Sequence, residues 1–271
     1  MELPAFDTLE LAVDGAVATV ELARPGKANA INLVLWAELQ RCFEWLDGAP
    51  TVRAVILAGQ GRHFCAGIDL ADLGAAVFAA GDREPARAAE GLRRLILRLQ
   101  DNLSSIERCR KPVLAAIHGA CVGAGVDLVA CCDMRYCSED AYFSIKEIDI
   151  GMTADVGTLQ RLPHLIGRGM LHELAFTGRR VGGDEARELQ LVNRVFPDRA
   201  ALLAGVRDIA AAIARKSPLA IRGTKEMLLY ARDHSVADGL NYVATWNAAM
   251  LSQRDVMAAL AAGDAPPDFE S

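Results

Sequence analysis

The pentapeptide Ala66-Gly67-Ile68-Asp69-Leu70 returns 58 residues later as Ala124-Gly125-Val126-Asp127-Leu128, and each copy follows an apolar run and a glycine-containing loop. A strand, a glycine turn and the start of a helix, met twice, predict a coiled succession of strand, turn and helix units. At such a turn the first N–H groups of the helix lack intrahelical partners, and the helix dipole points outward beside them. Two turns of this kind, converging on one point, would stabilise an oxygen that gains negative charge, as enolate chemistry on a thioester requires. The plainer reading is a pair of helix caps whose N–H groups meet water.

The elements around the turns follow from periodicity. Residues 9–23 alternate apolar and polar about Asp14-Gly15 and predict a β-hairpin. Asn32 precedes Leu35, Trp36, Leu39, Phe43 and Leu46, the cap and apolar stripe of a helix. Val52–Ala58 is β-branched and short, a strand, and the small-residue stretch Gly74–Gly91 reads as a mobile loop. An amphipathic helix follows with Leu92, Leu95, Ile96, Leu99, Leu103 and Ile106, stopped by Lys111-Pro112. Then come a strand at Val113–Ile117 and a helix from about Gly123. Beyond Gly157 helical periodicity runs through 158–176, 184–190, 198–215, 217–232 and 235–262. Strands early and helices late predict an α/β core, residues 1–197, with a helical C-terminal region, residues 198–271.

Composition narrows the class of function. With 271 residues and 52% of them hydrophobic, the chain can bury a large core. Its 29 Lys+Arg against 35 Asp+Glu give a net charge of −6, which argues against a general nucleic-acid or membrane-surface binder. The basic run Arg93, Arg94, Arg98, Arg108, Arg110 and Lys111 reads as the solvated face of the amphipathic helix rather than an RNA footprint. The first 23 residues hold no Lys or Arg and no segment is long and apolar enough to span a bilayer, so the expectation is a cytoplasmic protein beginning near Met1, with no anchor. Seven scattered cysteines without a C-x-x-C pair read as reduced and buried, and the five histidines lack ligand spacing, so no metal is expected.

Familiar motifs fail. Gly59-Gln60-Gly61 has Phe64 where a dinucleotide fingerprint needs its third glycine, and no G-x-S-x-G elbow exists. What remains beside the turns is three acids. Asp127 falls in the first turn of an apolar helix, where the dipole alone would explain it. Glu147 lies in an irregular or strand-like run, where it can pair with Lys146. Asp155 stands where it can cap the following helix. Their grouping next to two glycine turns raises them above surface charge.

In this order, Arg24-Pro25-Gly26-Lys27-Ala28-Asn29-Ala30, Phe64-Cys65-Ala66-Gly67-Ile68-Asp69-Leu70, Lys111-Pro112-Val113-Leu114-Ala115-Ala116-Ile117-His118-Gly119 and Gly123-Ala124-Gly125-Val126-Asp127-Leu128 resemble the enoyl-CoA hydratase/isomerase (crotonase) superfamily across nearly the whole chain. The resemblance implies a spiral of ββα units, a C-terminal helical trimerisation region and a homotrimer or homohexamer. It also implies an acyl-CoA thioester as substrate, with coenzyme A as part of that substrate and no separate cofactor. The oxyanion-hole donors fall on the N–H groups of Ile68 and Ala124, which are 56 residues apart rather than 58. Substrate contacts fall on Lys27, Ala28, Ala30, Ala66, Gly67, Asp69, Leu70 and Gly123. Asp69 also looks like a helix cap, and Arg24 and Lys27 are placed to meet CoA phosphates.

Within the superfamily the acids separate the reactions. Hydratases carry two glutamates at the positions of Asp127 and Glu147; this chain has the shorter aspartate at the first and a third acid at Asp155. The stretches 133–137, 146–163, 232–237 and 240–247 resemble Δ3,5-Δ2,4-dienoyl-CoA isomerases, whose acidic residues match Asp127, Glu147 and Asp155. That likeness implies a proton shift from C2 to C6. The alternatives are a 2-enoyl-CoA hydratase, a Δ3-Δ2-enoyl-CoA isomerase, or an RNA-binding or scaffold protein on the same fold.

Overall fold

The structure is a computed structural model that describes residues 3–72, 74, 84–262, 267, 269 and 270. Strands β1 (Leu9–Asp14) and β2 (Val17–Leu22) form the expected antiparallel hairpin, with Asp14 paired to Val17 across the turn. Helix α1 (Leu33–Gly48) starts where the Asn32 side chain accepts the Leu35 N–H at 3.0 Å, and its predicted stripe is buried. Next come β3 (Ala54–Gly59), α2 (Pro85–Arg108), β4 (Val113–Ile117), β5 (Ala120–Val122), α3 (Ala124–Ala130), β6 (Met134–Ser138) and β7 (Tyr142–Ser144). A 3-10 turn at Glu147–Ile150 leads to α4 (Thr158–Arg161), α5 (Arg168–Thr177), β8 (Val181–Gly182), α6 (Gly183–Glu188) and β9 (Arg194–Phe196). Four more helices follow: α7 (Arg199–Ala214), α8 (Pro218–Tyr230), α9 (Val236–Met250) and α10 (Gln253–Ala262).

Two sheets share the strands. The larger has the order β1-β2-β3-β4-β6-β9, parallel from β2 onward, and the smaller has the order β5-β7-β8. The chain repeatedly leaves a strand of the large sheet for one of the small sheet and then turns into a helix, as in β4, β5, α3. An isolated bridge between Cys65 and Cys121 gives the first glycine turn the same place beside β5. This is the ββα spiral that the resemblance implies.

Both faces of the large sheet are covered, which explains why β3 and β4 are apolar throughout rather than alternating. Ala54, Ile56, Ala58, Leu114 and Ala116 pack against Leu202, Val206 and Ala210 of α7. On the other face Val55, Leu57, Val113, Ala115 and Ile117 join Leu35, Leu39, Phe43, Leu99 and Leu103. All seven cysteines are unpaired and buried, as expected.

Several boundaries differ from the periodicity. The single helix expected over 158–176 is broken by a 3-10 turn containing Pro163, and 235–262 is interrupted at Leu251 and Ser252. The mobile loop expected over Gly74–Gly91 lies outside the described residues at 75–83. Beyond them the chain is helical from Pro85, where the Glu84 carboxylate accepts the N–H groups of Ala86 and Arg87. Helices α9 and α10 bury no residue, and Val236, Leu240 and Leu260 stand 80%, 64% and 72% exposed.

Candidate active site

The two glycine turns meet. Gly67 has φ +101°, and a side chain on it would place Cβ 3.1 Å from the Val122 carbonyl oxygen and 4.0 Å from the Ala124 nitrogen. Gly123 has φ +53°, and a Cβ there would lie 3.2 Å from Glu147 Oε1. Both positions therefore need glycine for backbone conformation and for closeness. Gly125, the partner of Gly67 in the repeated pentapeptide, is helical and instead packs on Cys65. The structural repeat thus pairs Gly67 with Gly123, two residues out of register with the sequence repeat.

This register puts Ile68 and Ala124 directly after the two turn glycines. Among the described residues, the N–H of neither one donates a hydrogen bond. Their neighbours do: Gly67 donates to Cys65 Sγ at 3.4 Å, Asp69 to Ile31 O at 2.9 Å, and Gly123 to Ser144 O at 2.9 Å. The turns are held by the flanking groups, and the two donors between are left over.

Three acids face the same space. Asp127, in the first turn of α3, is fully buried; its Oδ1 accepts the Thr158 N–H at 2.6 Å and its Oδ2 has no partner. Burial pushes Asp127 up to about 7, opposed by the Thr158 hydroxyl and N–H and helped by the Glu147 and Asp155 carboxylates. Glu147 opens the 3-10 turn after β7, and burial raises its carboxyl above the usual range, with Asp155 adding to the rise. Asp155 is raised by burial as well. It is not a helix cap: Gly157 holds the N-cap position of α4. Nor does Glu147 pair with Lys146, whose ammonium meets Asp149.

All three acids line one cavity of about 670 Å³ together with Ile68, Gly123 and Ala124. Its apolar wall comes from Leu92, Leu95, Ile96 and Leu99 of α2 with Met152 and Val156. Ala66, Gly67 and Leu70 also line it. Lys27, Ala28, Ala30 and Asp69 do not; they form the adjoining loop, where Ala28 O accepts the Ala66 N–H at 3.0 Å. Lys27 is exposed, and its ammonium adds to the pull on the Asp69 carboxyl. Arg24 does not face solvent as a phosphate contact would, because its guanidinium is taken by Ala30 O and by Asp69, the latter at 3.1 Å. That pair holds the Asp69 carboxyl below its usual range.

Sequence reasoning missed Thr158, whose donors reach Asp127 only once the chain is folded. The amphipathic stripe expected for α2 divides: Leu92, Leu95, Ile96 and Leu99 line the cavity, and Leu103 and Ile106 are buried in the core. The basic run on that helix is largely occupied: Arg94 pairs with Glu90, Arg108 with Asp101 and Arg110 with Asp47, while the Lys111 ammonium is buried on the carbonyls of Leu46, Asp47 and Ala49. No helix among the described residues is long and apolar enough to cross a membrane.

Comparison with known proteins agrees with this architecture. The family model described as enoyl-CoA hydratase/isomerase matches residues 12–262. The chain is 50% identical over 242 residues to the mitochondrial Delta(3,5)-Delta(2,4)-dienoyl-CoA isomerase of Homo sapiens, covering 89% of this chain and 74% of that one. It is 47% identical over 266 residues to the peroxisomal enzyme of the same name from Arabidopsis thaliana, covering 97% and 96%. An enoyl-CoA hydratase structure from Bacillus anthracis superposes with a TM-score of 0.87 at 29% identity, covering 97% and 99% of the two chains. A putative enoyl-CoA hydratase from Thermobifida fusca, solved with acetoacetyl-CoA, gives 0.80 at 34%, covering 90% and 94%.

These relatives correct the expected cytoplasmic location, since they are named mitochondrial and peroxisomal. The physical reason is that net charge and hydropathy bear on folding and non-specific binding, not on the compartment in which a chain of this kind works. Fold, paired glycine turns and family match agree over nearly the whole length: the chain belongs to the enoyl-CoA hydratase/isomerase family.

Proposed function

We propose that this chain is a Δ3,5-Δ2,4-dienoyl-CoA isomerase. The observation that carries the reading is the meeting of Asp127, Glu147 and Asp155 on one apolar cavity beside the free N–H groups of Ile68 and Ala124. The names of the relatives at 47–50% identity support the same activity.

In this reading Glu147, as carboxylate, takes a proton from C2 of a 3,5-dienoyl thioester. The electron pair of that C–H bond forms C2=C3, the C3=C4 pair moves to C4=C5, and the C5=C6 pair takes a proton at C6 from Asp155. Negative charge passing through the thioester oxygen is held by the N–H groups of Ile68 and Ala124. Glu147 ends protonated and Asp155 ionised, so a proton must return between them before the next turnover. Raised proton affinities suit both roles, because a buried carboxylate is a stronger base and a buried carboxylic acid keeps its proton nearer neutral pH. Asp127 biases the protonation of its two neighbours. The step is redox-neutral proton transfer within one molecule, and coenzyme A enters only as part of the substrate. Lys27 is the rim cation for its phosphates. The exposed apolar residues Leu228, Leu240 and Leu260 on the C-terminal helices, with Leu251 between the last two helices, support burial between copies, in a homotrimer or homohexamer.

The test is spectrophotometric. A 3,5-dienoyl-CoA should gain the ultraviolet absorbance of a conjugated 2,4-dienoyl thioester, with negligible water addition to crotonyl-CoA. Rapid hydration with no diene conversion would replace this reading with the hydratase one.

A further inference from the structure

Behind the three acids lies a row of polar residues that the proposed chemistry does not use. Gln100, Ser104 and Glu107 are spaced four and three apart on α2, so they share one face of that helix. Each grips the segment that carries Asp155 and Thr158. Gln100 Nε2 donates to the Asp155 carbonyl oxygen at 2.6 Å. The Arg161 guanidinium donates to Ser104 Oγ at 3.0 Å and to the Glu107 carboxylate at 3.3 and 3.4 Å. That guanidinium lies directly over Gly157, where a Cβ would come within 1.9 Å of Nη1. Gly157 immediately precedes Thr158, whose N–H is the hydrogen bond on Asp127. Glu107 is also bonded by Arg232, just past the end of α8, which ties the C-terminal helices to the same point.

We infer that Glu107 is a positioning residue: through Arg161 it fixes the 155–161 segment, and so holds the Thr158 N–H on Asp127 and the Asp155 carboxyl over the cavity. The arrangement is economical of contacts. Glu107 and Arg161 are 16% and 13% exposed, shielded enough for their pairing to keep its geometry. The donors at the Asp127 carboxylate come from Thr158, its N–H at 2.6 Å and its hydroxyl, so slack in this segment reaches that acid directly. The charged and titratable groups that bear on Asp127 are Glu147, Asp155 and Arg161, with the thiols of Cys65, Cys121 and Cys131.

The functional part of this inference rests on the isomerase reading, while its structural part does not. Glu107→Gln separates position from charge by sign. If Glu107 acts through position, loosening the Thr158 N–H removes the hydrogen bond that favours the Asp127 carboxylate, and the Asp127 titration midpoint rises by about one pH unit. If only charge matters, removing an anion and freeing Arg161 lowers it. The readout is the Asp127 carboxyl signal in protein labelled with 13C-aspartate, assigned by its loss in Asp127→Asn and followed against pH without substrate. The expected companion result is a kcat for diene isomerisation about tenfold lower with KM changed less than about twofold, the mark of misplaced catalytic groups in an intact pocket. Asp101→Asn, which breaks an exposed ion pair on the same helix, should change neither. If Glu107→Gln does not fold, Ser104→Ala removes one bond to Arg161 and should move the midpoint upward by a smaller amount. A midpoint that stays or falls in the folded variant overturns the inference. A wild-type chain that titrates as described but does not isomerise overturns the functional reading alone.

Discussion

Asp69 and Asp127 hold the same place in a repeated pentapeptide, and the fold sends them in opposite directions. Asp69 sits at a loop edge, 19% exposed, with the Arg24 guanidinium beside it holding its carboxyl below the usual range. Asp127 is inside, facing two other acids, and is pushed up to about 7. The cause is the two-residue offset between sequence and structural repeats. Gly123, not Gly125, is the turn glycine of the second unit, so its helix starts earlier and carries Asp127 inward. A shared pentapeptide sets residue types; which one turns the chain depends on where the strand before it ends.

The sharpest way to break the comparison is to remove the acid that the first unit lacks altogether. Asp155→Asn leaves size and shape almost unchanged but cannot deliver a proton. Loss of a proton-transfer group costs about 10²–10⁴ in rate, and the expected fall in kcat for diene isomerisation is about 10³. Binding of CoA, measured by calorimetry, should stay within about twofold. Unchanged turnover would remove Asp155 from the mechanism.

Next in size are the glycines. Gly123→Ala forces a positive φ on a side chain and pushes it toward Glu147, and a displacement near 1 Å at the reacting groups costs about 10² in kcat. Gly125→Ala adds a methyl group 3.0 Å from Cys65 Cβ but keeps helical backbone, so its effect falls on thermal stability more than on kcat. If the two variants behaved alike in steady-state kinetics, the structural register would be wrong.

The two aspartates themselves should respond to pH with opposite signs. Asp127 keeps a proton in the folded chain that the unfolded chain has lost between pH 3.8 and about 7, so stability falls as pH rises through that window. Asp127→Asn removes the penalty and should gain up to about 4 kcal/mol at pH 8, with little change near pH 3, while kcat drops about tenfold. Asp69 contributes in the other sense: its stabilisation is present above its unfolded value and fades as pH falls, so Asp69→Asn loses stability at pH 7 and not in acid. Urea unfolding of both variants at the two pH values measures the difference.

Much of this contrast was legible beforehand, and the reasons for the rest are specific. The glycine turns, the Asn32 cap and the α1 stripe announce themselves because each depends on residue type at fixed spacing. Strands β5, β7 and β8 have three, three and two residues, too few for alternation to show. The start of α2 was hidden in a small-residue stretch, although Glu84-Pro85 is a usable helix-start signal. Thr158 was invisible because the fold alone brings its donors to Asp127. Location failed for another reason: the charge and hydropathy that composition measures bear on folding and non-specific binding, not on compartment.

The smallest expected effect concerns the loop beside Asp69, where Arg24 and Lys27 looked alike in sequence and differ in structure. Arg24 is hydrogen-bonded to Asp69 and Ala30, whereas Lys27 is exposed and acts on Asp69 only through its charge. An exposed cation meeting a phosphate contributes about 0.2–1 kcal/mol, so Lys27→Gln should raise KM for an acyl-CoA about threefold at low salt. That difference should vanish at about 0.5 M salt, where screening acts within a few ångströms. Arg24→Gln breaks internal contacts of the loop instead, so whatever it does to KM should persist at high salt. The same salt response in both variants would mean that the loop presents two phosphate contacts or none, and that the Arg24–Asp69 pair does not set the division of labour between them.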